Sequence, residues 1–159
     1  MASAQPEPKE IAKWHRWFAV ECNNRAFDLA AMTKRNDSEN REMLLAANCA
    51  AFHWSKVGTP INQVRADFLL GYVHALLGDG PRAMQFAQRC LSECKTQPHE
   101  DWDIAFAHAG VGFAAAMTDD ADLQAEHFAL AEKLGRAIKD DEDRKAFFDE
   151  FARMQANAV

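Results

Sequence analysis

The sequence predicts a single all-α domain of about seven helices, packed as antiparallel pairs. Three observations carry that expectation. Val and Ile are scarce beside Ala, Leu, Phe and Glu, a balance that favours helix over strand. Apolar residues recur at three- and four-residue spacing along most of the chain. Short turns marked by Gly, Pro and Asp separate these stretches, so neighbouring helices must double back on one another. The 159 residues suit one domain, which at this size buries roughly 70% of its unfolded surface without covalent staples.

The first helix is expected over about 8–34. Pro8 suits a first helical turn, and Ile11, Trp14, Phe18, Cys22, Leu29 and Met32 keep helical spacing. Asn23-Asn24 is a candidate break. Residues 1–7 are polar, contain proline and are expected to be flexible. The second helix spans about 38–57, with Ser38 as N-cap, Glu39 and Glu42 in its first turn and Gly58 ending it. Thr59-Pro60 opens the third, which carries Ile61, Val64, Phe68, Leu69, Tyr72, Val73 and Leu76. Gly78-Asp79-Gly80-Pro81 turns the chain into the fourth, with Ala83, Phe86, Ala87, Cys90 and Leu91. Pro98 interrupts before the fifth, which holds Trp102, Ile104, Phe106, Val111 and Phe113. Asp119 or Asp120 caps the sixth, and Asp140 opens the seventh with Phe147, Phe148, Phe151 and Met154.

An internal repeat emerges when two stretches are set side by side. Leu70-Gly71, the turn at Gly78-Asp79 and then Ala83, Phe86 and Ala87 parallel Ala109-Gly110, the turn at Asp119-Asp120 and then Ala125, Phe128 and Ala129. The offset is 39 in the first helix and 42 in the second, so this pairing gives the second unit a longer turn. Leu-Gly in one helix, Gly-Asp at the turn and Ala-x-x-Phe-Ala in the next resemble a tetratricopeptide-repeat (TPR) unit. The stretch from His53 to Gly78 also resembles bacterial TPR-like proteins of unassigned function. His74 departs from the pattern by standing where an aromatic is usual. The resemblance implies a right-handed α–α superhelix. Residues 8–34 and 38–57 form a degenerate first pair, 60–96 and 100–138 are repeat units, and 141–155 is a capping helix. The competing expectation is a helical bundle without repeats.

Chemistry is thinly signalled. A formal charge of −6, with Lys and Arg scattered in ones and twos, argues against nucleic acid as a partner. No apolar run is long enough to span a membrane. Three of the four cysteines lie in apolar helical patterns, and with no secretory leader before them this points to a reducing cytoplasm. Gly110-Val111-Gly112 lies mid-helix, where a dinucleotide fingerprint has no meaning and close helix packing does. Cys90 and Cys94 share a helix face, but zinc needs two further ligands with telling spacing. Packing suits Cys90 and exposure suits Cys94. The six histidines show neither His-x-x-x-His nor Glu-x-x-His pairing, so no metal site is expected. Asp101-Trp102-Asp103 reads as a helix start. No catalytic residue and no cofactor are indicated.

What is left is a surface. In a TPR-like unit the first helix of each pair lines the concave groove, and the resemblance would place Arg65, Phe68 and Tyr72 there, with Asn62 and His53 nearby. Ile104, Ala107, Val111 and Ala114 would form the matching small, apolar stripe of the next unit. An Arg with two aromatics beside a hollow suits a peptide's carboxylate and side chains. The leading expectation is a non-enzymatic scaffold for a protein or peptide segment. A small-ligand or peptide sensor, and an enzyme using His53, Asn62 and Arg65, are the alternatives. Trp14, Trp17 and Phe18 are dense for one helix, and mark either a clamp onto the stack or the contact face of a homodimer.

Overall fold

The computed structural model describes residues 6–158 as seven α-helices, with no strand among them. They are α1 (Pro8–Ala30), α2 (Asp37–Val57), α3 (Pro60–Leu76), α4 (Gly80–Cys94), α5 (Asp101–Ala116), α6 (Ala121–Arg136) and α7 (Asp141–Asn157). The expected flexibility of 1–7 falls mostly outside the described residues; α1 begins at Pro8. None of the seven is long and apolar enough to cross a membrane.

Helix α1 starts at Pro8 without a side-chain cap, and each later helix starts where a side chain satisfies a free backbone N–H group. Asn36 caps α2, accepting from the Glu39 N–H while Glu39 accepts from the Asn36 N–H. The cap is therefore Asn36 and not Ser38, because Asn36 lies three residues before a Glu that can reach back. Asn62 accepts from the Thr59 N–H at α3, Asp79 caps α4, Asp120 caps α6 and Asp140 caps α7. The first helix stops at Ala30, short of Lys34. Arg35 turns back to donate to the carbonyls of Leu29, Ala30 and Met32 at 3.2, 3.2 and 2.9 Å, which closes the C-terminus early. Asn23-Asn24 does not interrupt it.

Consecutive helices pair: α1 with α2, α3 with α4, α5 with α6. The first pair is antiparallel, since His15 meets His53 while Arg25 meets Glu42. The odd-numbered helices also neighbour one another in order, α1 on α3, α3 on α5 and α5 on α7. The core runs along this row, with Leu69, Tyr72, Val73, Phe113 and Phe147 all but fully buried. Helix α7 closes the C-terminal end, setting Phe147 against Phe106 and Phe151 against Phe128.

The α3–α4 and α5–α6 pairs can be compared directly, and their register differs from the one expected from sequence. Gly71 lets α3 approach the backbone of α4 at Ala83 and Ala87, beside Phe86. The glycine of α5 that faces α6 is Gly112, which lies against the ring of Phe128, whereas Gly110 faces Phe68. Gly71 therefore corresponds to Gly112, not Gly110. The turns agree with this register. Asp79 N–H donates to the His74 carbonyl and Asp120 N–H to the Ala115 carbonyl, at 2.9 and 3.0 Å, across Gly78 and Asp119, both at positive φ. The two units thus share one turn geometry, and with residues 77–79 joining α3 to α4 and 117–120 joining α5 to α6 the second turn is longer by a single residue.

Candidate functional site

Arg65 projects from α3 toward the start of α5. Its Nε and Nη2 donate to the two oxygens of Asp103 at 2.8 and 2.9 Å, and its guanidinium carbon lies 4.3 Å from the centroid of the Trp102 ring. Asp103 is almost fully buried and also accepts from the Glu100 N–H at 2.9 Å. One carboxylate thus caps α5 and pins α5 to α3. The hydrogen bonds to Asp103 hold the Arg65 guanidinium above its ordinary pKa, with burial opposing. A bidentate pair of this kind fixes direction as well as charge.

Beside the pair lies a hollow of about 180 Å³. Helix α1 contributes Asn23 and Phe27, α3 contributes Val64, Arg65 and Phe68, and α4 contributes Cys90. Helix α5 completes it with Trp102, Asp103 and Phe106. The walls are largely aromatic and aliphatic, and the one ion pair is already neutralised, so the space suits an apolar group. An engineered apolar cavity of about 150 Å³ is enough to bind benzene.

The seven residues expected to share a groove are divided among several tasks. Arg65 and Phe68 line the hollow. Tyr72 does not: it is buried between Phe27, Phe68 and Phe113, and its hydroxyl donates to Glu150 of α7. Burial pushes its phenol far above the usual range. Asn62 serves the Thr59 cap. His53 belongs to another surface, stacked on Phe18 with its Nδ1 2.7 Å from that of His15. Burial and then His15 push its pKa down. Val111 is buried in the core and Ile104 packs against it, so neither lines the hollow. The α5 face that turns to the hollow is that of Trp102, Asp103 and Phe106. His53, Asn62 and Arg65 therefore form no common pocket.

Other polar groups are structural. Asp67 pairs with Arg89 between α3 and α4, and Arg89 lies over Phe86. His108 and His127 meet between α5 and α6 with Nδ1 atoms 3.2 Å apart. Cys94 is fully buried, contrary to the expected exposure, because it sits on the inner face of α4 beside Cys90. Burial pushes its thiol up to about 11, and does the same to Cys22 with help from neighbouring Cys49. Such thiols stay protonated at neutral pH and are poor nucleophiles. Among the described residues no cluster of three or more His, Cys, Asp or Glu side chains could hold a metal ion.

Two partners in this arrangement were not foreseen from sequence. Asp103 looked like an ordinary first-turn carboxylate, and Trp102 like one more apolar residue. The distance of 38 residues from Arg65 to Asp103, close to one repeat, is the signal that could have paired them.

No family model matches the chain, and neither does any curated protein or solved structure.

Proposed function

We propose that the chain is a non-enzymatic, TPR-like interaction module, and that the hollow between α1, α3 and α5 receives one apolar side chain of a partner's peptide segment. The observation that carries this is the hollow itself. It is ring-sized and apolar, and it stands between successive odd-numbered helices, the row that lines the groove in a right-handed superhelical stack. Asp103 neutralises Arg65, so the carboxylate first expected as Arg65's ligand is not required. Arg65 keeps Nη1 for a backbone carbonyl of the bound segment, while Phe68 and Phe106 grip the anchor. A desolvated aromatic pocket of this kind is where binding energy concentrates. Four free thiols accord with a reducing, cytoplasmic setting.

The test is selection from a random peptide display library against the wild type and against Cys90→Leu, which fills the hollow from α4. Selected peptides should share one Leu- or Phe-sized anchor and bind the filled, folded variant at least about tenfold more weakly. Equal binding to both would place the peptide site elsewhere.

The volume also suits a free single-ring molecule, as a small-ligand sensor would need. Thermal upshifts with indole or phenol that vanish in Cys90→Leu, together with no selected peptide, would favour that reading.

A further inference from the structure

The outer face of the first helix pair is apolar in a way that neither the core nor the hollow uses. Trp14 and Trp17 are each 51% exposed, and Phe52 is 54% exposed. These rings form one surface. Trp17 meets Phe18 at 4.9 Å between centroids, Phe18 meets His53 at 5.4 Å, and His53 meets Phe52 at 5.3 Å. At half exposure, four aromatics of roughly 200 Å² each present about 400 Å² per copy. That is half of the roughly 800 Å² each partner gives to a standard interface, before Ile11, Val20 and the rim are added. Stacked helical arrays need a polar face at each end. The charged helix α7 provides one at the C-terminal end, and the first pair does not.

The charges around Trp17 say what covers this face. Lys13 stands one turn before Trp17 and Glu21 one turn after it, both exposed, and neither belongs to an ion pair among the described residues. Residues four apart share a helix face. When two copies of α1 cross antiparallel with Trp17 on the twofold axis, position i of one faces position 34 − i of the other. Lys13 then meets Glu21 of the second copy, twice by symmetry, and Trp14 meets Val20. An antiparallel pairing centred on Trp17 is thus self-complementary in charge as well as apolar at its centre.

We propose that α1 is the interface of a homodimer, formed by antiparallel packing of α1 on α1 about Trp17 with reciprocal Lys13–Glu21 ion pairs.

Sedimentation equilibrium of the full chain at tens of micromolar tests this, with circular dichroism to confirm folding. The wild type should sediment at twice the chain mass. Lys13→Glu and Glu21→Lys, both on exposed positions, should each weaken association by about tenfold or more, since each sets like charges together at two places. The double variant K13E/E21K should restore it. Single variants as dimeric as the wild type, or a double variant as monomeric as the singles, would overturn the pairing. A wild type that stays monomeric would overturn it too, and co-flotation of that monomer with anionic phospholipid vesicles would assign the face to a lipid surface instead.

Discussion

Asp103 accepts three hydrogen bonds from two directions, one from its own helix at Glu100 and two from Arg65. Both halves are needed, because a buried carboxylate left unpaired would cost several kcal/mol. His108 shows the opposite economy: it is buried as a neutral ring. Its surroundings are His127 across the α5–α6 contact and the Lys95 charge. Burial first, then His127 and Lys95, push its pKa from 6.5 down to about 4. The sign follows. Below pH 6.5 the unfolded chain takes up a proton that the folded chain refuses, so stability falls as pH drops from 6.5 toward 4. His53, His74 and His127 are shifted in the same direction and add to the slope. The urea midpoint of the wild type should be lower at pH 5 than at pH 7, and His108→Gln should show a visibly smaller difference. Equal differences in the two proteins would mean that His108 titrates normally.

At the scale of elements, most helix starts were legible because capping chemistry is local. Thr59-Pro60, Asp140 and the Asp119-Asp120 pair all announce a start within a few residues. Helix ends were less legible. The end of α1 depends on Arg35 reaching back over the last turn, and spacing of apolar residues does not report it. Repeat register failed by two residues for a related reason: Gly110 and Gly112 look alike in sequence, and only the position of Phe128 tells which one α6 packs on. The same comparison yields a prediction. Gly78 turns out of α3 at φ 75°, and its counterpart Asp119 turns out of α5 at φ 57°. A side chain in that left-handed region costs about 1 kcal/mol. Asp119→Gly should therefore raise stability only slightly, by up to about 0.5 kcal/mol in urea unfolding, once the glycine's greater unfolded freedom is subtracted. A drop would show that the Asp119 side chain contributes more than its backbone costs.

The whole molecule is held along its length by side chains reaching from one helix pair to the next. Arg65–Asp103 joins α3 to α5, and Tyr72–Glu150 joins α3 to α7. The second spans 78 residues and leaves Tyr72 no freedom to serve a groove. Tyr72→Phe keeps the ring packing but removes a hydrogen bond to a charged acceptor, worth about 1.5 kcal/mol or more. Glu150 retains Arg153, which softens the loss. The effect should concentrate at the C-terminal end of the molecule. Amide hydrogen exchange in α7 should quicken by about tenfold while α1 and α2 change little. Uniform acceleration through all seven helices would mean that α7 does not open separately.

Sequence by itself determined that the chain is helical, how many helices there are, and where most of them begin. It also marked the small residues that let helices approach. Those properties depend on neighbours within one or two turns, and the amino-acid order contains them. Tertiary structure decided which side chains meet across helices. It gave Arg65 to Asp103 and Trp102, placed Tyr72 under α7, sent His53 to His15 and Phe18, and opened the hollow between α1, α3 and α5. The physical reason is rotational. Facing partners lie 17 to 78 residues apart in the chain, and a turn of about 100° per residue about each helix axis moves a neighbouring residue onto a different face.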